Sequence, residues 1–148
     1  MGILTAIQGD RIYLDVNIWI YALEQHPTFS QPLTELFQQV DQKALTVVTS
    51  ELSLAEALVK PVRDQDIARQ TTYRQFLSSR PNLRVIPVQR AILIEAARQR
   101  ATNNSLKLPD AIHAATAVIL KCTTLLTNDQ TFKSVSSLPV VILSEVVP

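Results

Sequence analysis

Four carboxylates are placed along the chain where they can meet. Asp15 and Asp129 lie just beyond runs that read as strands, and Glu56 and Asp110 lie in early turns of runs that read as helices. In an open parallel sheet, ligands gather outside the carboxyl ends of the strands, so groups at such places are expected to share a cleft. At 4 to 5 Å and an effective dielectric near 20, each like-charged pair repels by roughly 3 to 4 kcal/mol. Some of the carboxylates must then hold protons, or a divalent cation must offset the charge. Oxygen donors without cysteine or paired histidine suit Mg2+ or Mn2+ better than zinc. A hard cation held in this way can orient and deprotonate a water and stabilise charge on a phosphate, which is the equipment of phosphodiester hydrolysis. Each residue also has a simpler reading: Asp15 and Asp129 as helix N-caps, Asp110 as a first-turn charge facing the helix dipole, Glu56 as an exposed helical glutamate.

The elements that must position these groups follow from periodicity. Ile12 to Leu14 is the apolar run of a strand buried on both faces, and Ile18, Tyr21 and Ala22 recur at helical spacing from Asn17 to about Gln25, before Pro27. A helix from Ser30 to about Gln42 carries Leu33, Leu36, Phe37 and Val40 on one face. A β-branched strand from Leu45 to Thr49 comes next. Ser50 to Lys60 is the helix that bears Glu56 beside its apolar stripe, and Pro61 is expected to end it. A helix from Asp64 to Leu77, a strand from Leu83 to Val88, a helix from Ala91 to about Ala101 and a loop from Thr102 to Lys107 are expected in turn. Leu108 to Leu120 is an apolar helix opened by Pro109, with Asp110 in its first turn. A strand from Thr124 to Thr127, a short helix around Phe132 and a strand from Val140 to Leu143 complete the chain. Strands alternating with helices, at connections too long for hairpins, imply an α/β fold with a mainly parallel sheet covered on both faces, in one domain spanning 1–148.

Composition removes several function classes. With 148 residues, 47% of them apolar, the chain can bury a core without staples. No window approaches the roughly 18 consecutive apolar residues of a membrane span, and no signal-peptide pattern opens the chain. A cytoplasmic protein with no membrane partner is therefore expected. Cys122 is the only cysteine, which rules out an internal disulfide or a cysteine-rich zinc cluster; it should pack as a small hydrophobe. The two glycines are Gly2 and Gly9, so neither the dinucleotide fingerprint nor the phosphate-cradling P-loop can form. A net charge of +1 argues against nonspecific coating of nucleic acid. Lys60, Arg63 and Lys107, close to the site helices, read either as a phosphate-binding rim or as ordinary surface charges.

Four segments, in order, carry a family resemblance: Tyr-Leu-Asp-Val-Asn-Ile-Trp-Ile-Tyr from Tyr13 to Tyr21, Ser-Leu-Ala-Glu-Ala-Leu from Ser53 to Leu58, Leu-Pro-Asp-Ala-Ile-His-Ala-Ala-Thr-Ala from Leu108 to Ala117, and Leu-Leu-Thr-Asn-Asp-Gln-Thr-Phe from Leu125 to Phe132. With these segments covering nearly the whole chain, the sequence resembles a PIN-domain ribonuclease, and most of all the compact VapC-type toxins of bacterial toxin-antitoxin pairs. The resemblance implies a PIN-like domain with about five parallel strands. It implies an acidic quartet of Asp15, Glu56, Asp110 and Asp129, catalytic and holding Mg2+ or Mn2+, with Asn17 and Thr127 as polar support. It also implies an RNA substrate, a homodimer, and a cognate antitoxin that inserts a segment into the groove.

Other readings stay open beside it. His113, one helical turn beyond Asp110, faces the cleft or serves as a satisfied packing histidine, and Trp19 stacks on a base or fills the core. A haloacid dehalogenase-type phosphatase would need a second Asp where Asn17 stands. A nonenzymatic module whose acidic cleft recruits a basic segment, and an RNA-processing PIN nuclease that is not a toxin, are the remaining alternatives.

Overall fold

The strands are short and apolar, and each is followed by enough helix to carry the chain back, so they pair in parallel. In the computed structural model, which describes residues 2–147, the outermost residues of the expected domain, Met1 and Pro148, lie outside the described residues. β1 (Arg11–Leu14), β2 (Thr46–Ser50), β3 (Leu83–Ile86), β4 (Thr124–Thr127) and β5 (Val140–Ile142) form one sheet in the order β3-β2-β1-β4-β5, with every pairing parallel. The helices are α1 (Ile3–Ala6), α2 (Val16–Leu23), α3 (Ser30–Asp41), α4 (Glu51–Arg63), α5 (Ile67–Phe76), α6 (Arg90–Thr102), α7 (Leu108–Ile119) and α8 (Leu143–Val146), with a 3-10 helix at Gln130–Ser134.

The pleat sorts the strand residues into two cores. Ile12 and Leu14 of β1 join Val47, Val85 and Leu126 under the buried sides of α2 and α3, with Ile18, Trp19, Leu33, Leu36 and Val40. Tyr13 points the other way, with Val48, Ile86 and Leu125, toward α6 and α7. Trp19 is fully buried and packs edge-on to Phe76 at 5.1 Å and tilted against Phe37 at 5.4 Å, which makes it a core residue. In α7 every residue from Ala111 to Ala117 is buried, because small alanines let this helix lie close to both α6 and the sheet.

Most element bounds fall within a residue or two of those expected, and the departures have local causes. Pro61 does not end α4, which runs on to Arg63. The proline ring forfeits one hydrogen bond in the last turn, but its carbonyl accepts from Asp66 N at 2.9 Å and from Gln70 Nε2 at 3.1 Å, and its ring is buried. α5 starts only at Ile67, where Asp66 caps it through a bond to Arg69 N at 3.0 Å. β3 stops at Ile86, before Pro87, which has no N–H to continue the ladder. The short terminal helices α1 and α8 have no periodic signature in the sequence.

The sheet order fixes where a site can lie. From β1 the chain proceeds to β2 and β3 on one side, then crosses to β4 and β5 on the other, so the order reverses between β1 and β4. At such a switch point the loops leaving the two strands diverge and open a crevice at their carboxyl ends. Asp15 follows β1 directly, and Asp129 follows β4 by two residues.

Candidate active site

Asp15 has the same strand parity as Tyr13, and both face the α7 side at the top of the central strand. Its backbone N–H continues the ladder by donating to Leu126 O at 3.1 Å. The carboxylate is 4% exposed and every hydrogen bond to it comes from a neutral donor. Oδ1 accepts from Val16 N at 2.8 Å and so caps α2, while Oδ2 accepts from Thr127 Oγ1 at 2.7 Å and from Asn17 Nδ2 at 3.2 Å. Asp15 is thus an N-cap in this geometry, and that role leaves its carboxylate at the crevice.

Thr127 and Asn17, expected as polar support, both touch Asp15 and also tie β4 to α2. The Thr127 hydroxyl accepts from Asp129 N at 3.0 Å, and Asn17 Oδ1 accepts from Asn128 N at 3.1 Å. Asn128, to which the sequence assigned no role, donates through its side chain to Tyr21 OH at 3.2 Å and accepts from Ser144 N at 2.9 Å. Asp129 caps the 3-10 helix through Thr131 N at 2.9 Å. The loop after β4 is pinned on every side, so the rim of the crevice has a fixed shape.

Glu56 and His113 come from α4 and α7, on opposite faces of the sheet, and meet over its carboxyl edge. His113 Nε2 lies 2.6 Å from Glu56 Oε1 and 3.6 Å from Asp15 Oδ1. On its other side, Nδ1 is 2.5 Å from the hydroxyl of Tyr13. Burial pushes that phenol well above 10, and the charge of Asp15 adds to the rise, outweighing the Thr49 hydroxyl beside it. Burial would push the imidazole down, but the hydrogen bond to Glu56 and the charges of Asp15, Glu56 and Asp110 outweigh it and raise the group above its ordinary value.

Asp110 sits half-buried in the first turn of α7. Its carboxyl is raised, first by burial and then by the charges of Asp129, Asp15 and Glu56, against the lowering effect of His113. The four carboxylates picked out from the sequence therefore share one electrostatic neighbourhood. The tightest cluster is nevertheless Asp15, Glu56 and His113, each offering one donor atom within 4.8 Å of the others. Asp110 and Asp129 stand outside that innermost set.

His113 meets both readings open to it, a satisfied buried histidine and a residue at the cleft, and two signals in the sequence point to it. It lies three residues after Asp110, on the same helical face, and it is embedded in an apolar run of alanines and isoleucine with no charged residue between Ala111 and Ala117. A buried histidine needs partners on both nitrogens, and Tyr13, two residues before Asp15 on the same strand face, is one of them. Lys60, Arg63 and Lys107 are exposed, with Lys60 and Arg63 in the last turn of α4 where cations meet the helix dipole. Cys122 is buried and its thiol is pushed up to about 12, so it packs as a small hydrophobe.

Comparison with known proteins bears on this arrangement. A family model described as PIN domain matches residues 12–138. No curated protein sequence matches the chain. Among solved structures, the chain is similar to VapBC2 from Rickettsia felis bound to a DNA fragment from their promoter, with 22% identity over 89% of this chain and 98% of that one, and a TM-score of 0.71. It is similar to DNA-bound VapBC from Salmonella typhimurium, with 15% identity over 91% and 99% and a TM-score of 0.70. It is also similar to VapC20 from Mycobacterium tuberculosis, described as a toxin cleaving the sarcin-ricin loop, with 16% identity over 84% and 95% and a TM-score of 0.69.

Proposed function

This chain belongs to the PIN-domain family, and from that premise we propose that it is a metal-dependent endoribonuclease, the toxin of a toxin-antitoxin pair, with the whole chain as one catalytic domain. The observation that carries the reading is the buried Asp15 carboxylate at the switch point, held by Thr127 and Asn17, with Glu56, Asp110 and Asp129 in its field. A buried Asp15 carboxylate with three further carboxylates around it, and His113 as the one basic side chain in contact among the described residues, carries more negative than positive charge, so the arrangement is one that a divalent cation completes. The donor set fits a hard divalent ion: Asp15 and Glu56 present oxygens close together, and Asp110 and Asp129 add carboxylates from the next elements. When bound, Mg2+ or Mn2+ supplies positive charge to the phosphate and acidity to a water.

The residues of the chain do the positioning. Thr127 and Asn17 hold Asp15 in one rotamer, and Thr127 also accepts from the backbone N–H of Asp129, which fixes that residue at the end of β4. The Cys122 thiol, buried and pushed up to about 12, is not a nucleophile here, and the carboxylates are the groups that would hold the cation. Water therefore attacks phosphorus in line, the bond from phosphorus to the 3′ oxygen breaks, and the products carry a 5′-phosphate and a 3′-hydroxyl. Purified protein freed of any partner should cleave RNA in Mg2+ or Mn2+ and stop in chelator. Cleavage that persists in excess chelator, or ends bearing 2′,3′-cyclic phosphate, would overturn this mechanism. Binding of a basic peptide with no cleavage would favour the nonenzymatic module.

The similar structures whose descriptions name VapBC complexes support a cognate antitoxin as partner. A homodimer is the second assembly we propose. An apolar strip on α4, lined by Ala55, Leu58, Val59 and Val62, lies open to solvent, and Ile67 at the start of α5 is exposed nearby in sequence. Sedimentation of the purified chain at micromolar concentration should show a dimer; monomer alone would count against it.

A further inference from the structure

The cluster of Asp15, Glu56 and His113 has the look of a three-ligand metal set, with mixed oxygen and nitrogen donors. We infer that His113 is not a ligand in it: the imidazole donates its Nε2 proton to Glu56 and acts as a positioning residue that fixes this carboxylate for the cation. The inference rests on the metal-site reading above and concerns the roles inside it.

The direction of the proton follows from the chain of contacts. The Tyr13 hydroxyl is wholly buried and remains a phenol, and it lies 2.5 Å from His113 Nδ1. The Thr49 hydroxyl, also beside this phenol, gives its proton to Leu14 O at 2.8 Å and is engaged with Ser53 Oγ at 2.8 Å. With a neutral imidazole, the carboxylate oxygen 2.6 Å from Nε2 calls for the ring proton there, and the phenol then donates to Nδ1. With an imidazolium, both nitrogens carry protons. Either way Nε2 has a hydrogen, and it points at Glu56 Oε1, 2.6 Å away, with Asp15 Oδ1 farther off at 3.6 Å. The opposite tautomer would set a bare nitrogen against a carboxylate oxygen at 2.6 Å, lone pair against lone pair. A protonated nitrogen has no lone pair to give a cation.

The consequence lies in Glu56. Its side chain is about one-third exposed, at 33%, on a helix that otherwise offers it no polar anchor among the hydrogen bonds described. A glutamate there would sample many rotamers. The bond from His113 holds Oε1 and leaves the other carboxylate oxygen without a partner among the hydrogen bonds described, so that Glu56 would hold a cation in the way partners behind a ligand commonly set its orientation. His113 itself is 1% exposed and edge-on to Tyr13, with ring centroids 5.8 Å apart, so the brace is rigid.

The test uses the full chain labelled with 15N-histidine, whose two histidines are told apart by a His26→Gln variant. Long-range proton-nitrogen correlation should show a protonated, pyrrole-type Nε2 for His113 both without metal and in saturating Mg2+. Binding of Mn2+ alone, followed by loss of the free-ion electron paramagnetic signal, should weaken about 10- to 100-fold in a Tyr13→Phe, His113→Leu double variant, which removes the brace without orphaning the phenol. His113→Gln, whose amide can still donate to Glu56, should restore most of that affinity. A pyridine-type Nε2, loss of its proton on adding Mg2+, or Mn2+ binding by the double variant equal to that of the parent would each overturn the inference. None of these readouts needs RNA. A chain that cleaves nothing yet keeps the Nε2 proton refutes the nuclease reading alone, and an active chain with a ligating Nε2 refutes this one alone.

Discussion

β1 and β4 run side by side, and their two ends teach different things. At the amino ends, threonine hydroxyls close onto backbone: Thr124 Oγ1 accepts from Gln8 N at 2.8 Å and donates to Gln8 O at 2.6 Å, while Thr123 Oγ1 accepts from Arg11 N at 3.2 Å and donates to Arg11 O at 3.0 Å. Gly9 makes this possible. Its φ is +69° and a Cβ there would fall 2.4 Å from Thr123 Oγ1. At the carboxyl ends another threonine, Thr127, donates instead to the Asp15 carboxylate. The residue type is the same, but one network is neutral and closes on itself, whereas the other ends on anions with capacity to spare. The first is built for stability. The second is left charged, and that surplus is what a cation can use.

Substitutions at the two ends should therefore separate cleanly. Asp15→Asn keeps the shape and, through its one oxygen, the contact with Thr127; it gives up the cap on Val16 N in exchange for relief of charge repulsion and removes the most buried of the carboxylates. It should lower RNA cleavage about a thousandfold, several kcal/mol of transition-state stabilisation, with the thermal midpoint in chelator unchanged or raised. Gly9→Ala should do the converse. It forces Thr123 aside and strains the backbone, costing about 1 to 3 kcal/mol of stability, with cleavage per folded molecule intact. Cleavage rates and melting curves measured on both variants check the comparison. Loss of activity in Gly9→Ala at temperatures where it is folded would break it.

The unequal legibility of the sequence follows the same divide. The neutral scaffold was readable because it repeats a local code: apolar runs, helical periodicity, and a proline or polar cluster between them. What escaped was local compensation, as at Pro61, whose carbonyl is rescued by Asp66 and Gln70 from beyond the helix end. The site was half readable. Asp15 and Asp129 announce themselves by standing just past strands, and the pairing of β1 with β4 brings Thr127 against Asp15. The contact between Glu56 and His113 crosses from one face of the sheet to the other, over 57 positions of chain, and no periodicity within either helix encodes it. Only a buried histidine's need for two partners hints at it.

The second way to sharpen the comparison is to supply the missing charge. Mn2+ at about a hundred times its Kd should stabilise the folded chain by ~2.7 kcal/mol through mass action. The increment should be lost in Asp15→Asn and kept in Gly9→Ala. Calorimetric melting with and without the ion measures it, and an equal increment in Asp15→Asn would move the cation site away from β1.

A smaller effect comes from Asp110. Its folded-state carboxyl is raised by burial and by the charges of Asp129, Asp15 and Glu56, so folding favours the protonated form. The stability this provides is complete below the ordinary carboxylate value and is lost as pH rises through the raised one. In chelator, then, the melting temperature should decline as pH rises above the usual carboxylate range, and Asp110→Asn should flatten that decline. Mn2+ should flatten it as well, by neutralising the neighbours that raise the group. A decline of the same slope in Asp110→Asn would assign it to other groups.

The smallest change is expected at the quiet end, where α7 turns into β4. Lys121 has φ +59°, Cys122 N donates to Ala117 O at 2.9 Å, and Lys121 N donates to Val118 O at 3.0 Å, which together form a Schellman cap with its left-handed residue at Lys121. Gln25, Lys43 and Gln65 hold the same position after α2, α3 and α4, all at positive φ, in a chain whose glycines number two. A left-handed backbone costs a residue with a Cβ about 1 to 2 kcal/mol, and glycine gives back up to about 1 of that in the entropy of the unfolded chain. Lys121→Gly should thus stabilise by about 0.5 kcal/mol, raising the melting temperature by roughly 1 to 2 °C. Because Lys121 is exposed and stands at the opposite end of β4 from Thr127, Mn2+ affinity and RNA cleavage should not change. A gain in stability accompanied by a change in metal affinity would mean that the two ends of the strand pair communicate, and their separation into a structural end and a chemical one would have to be given up.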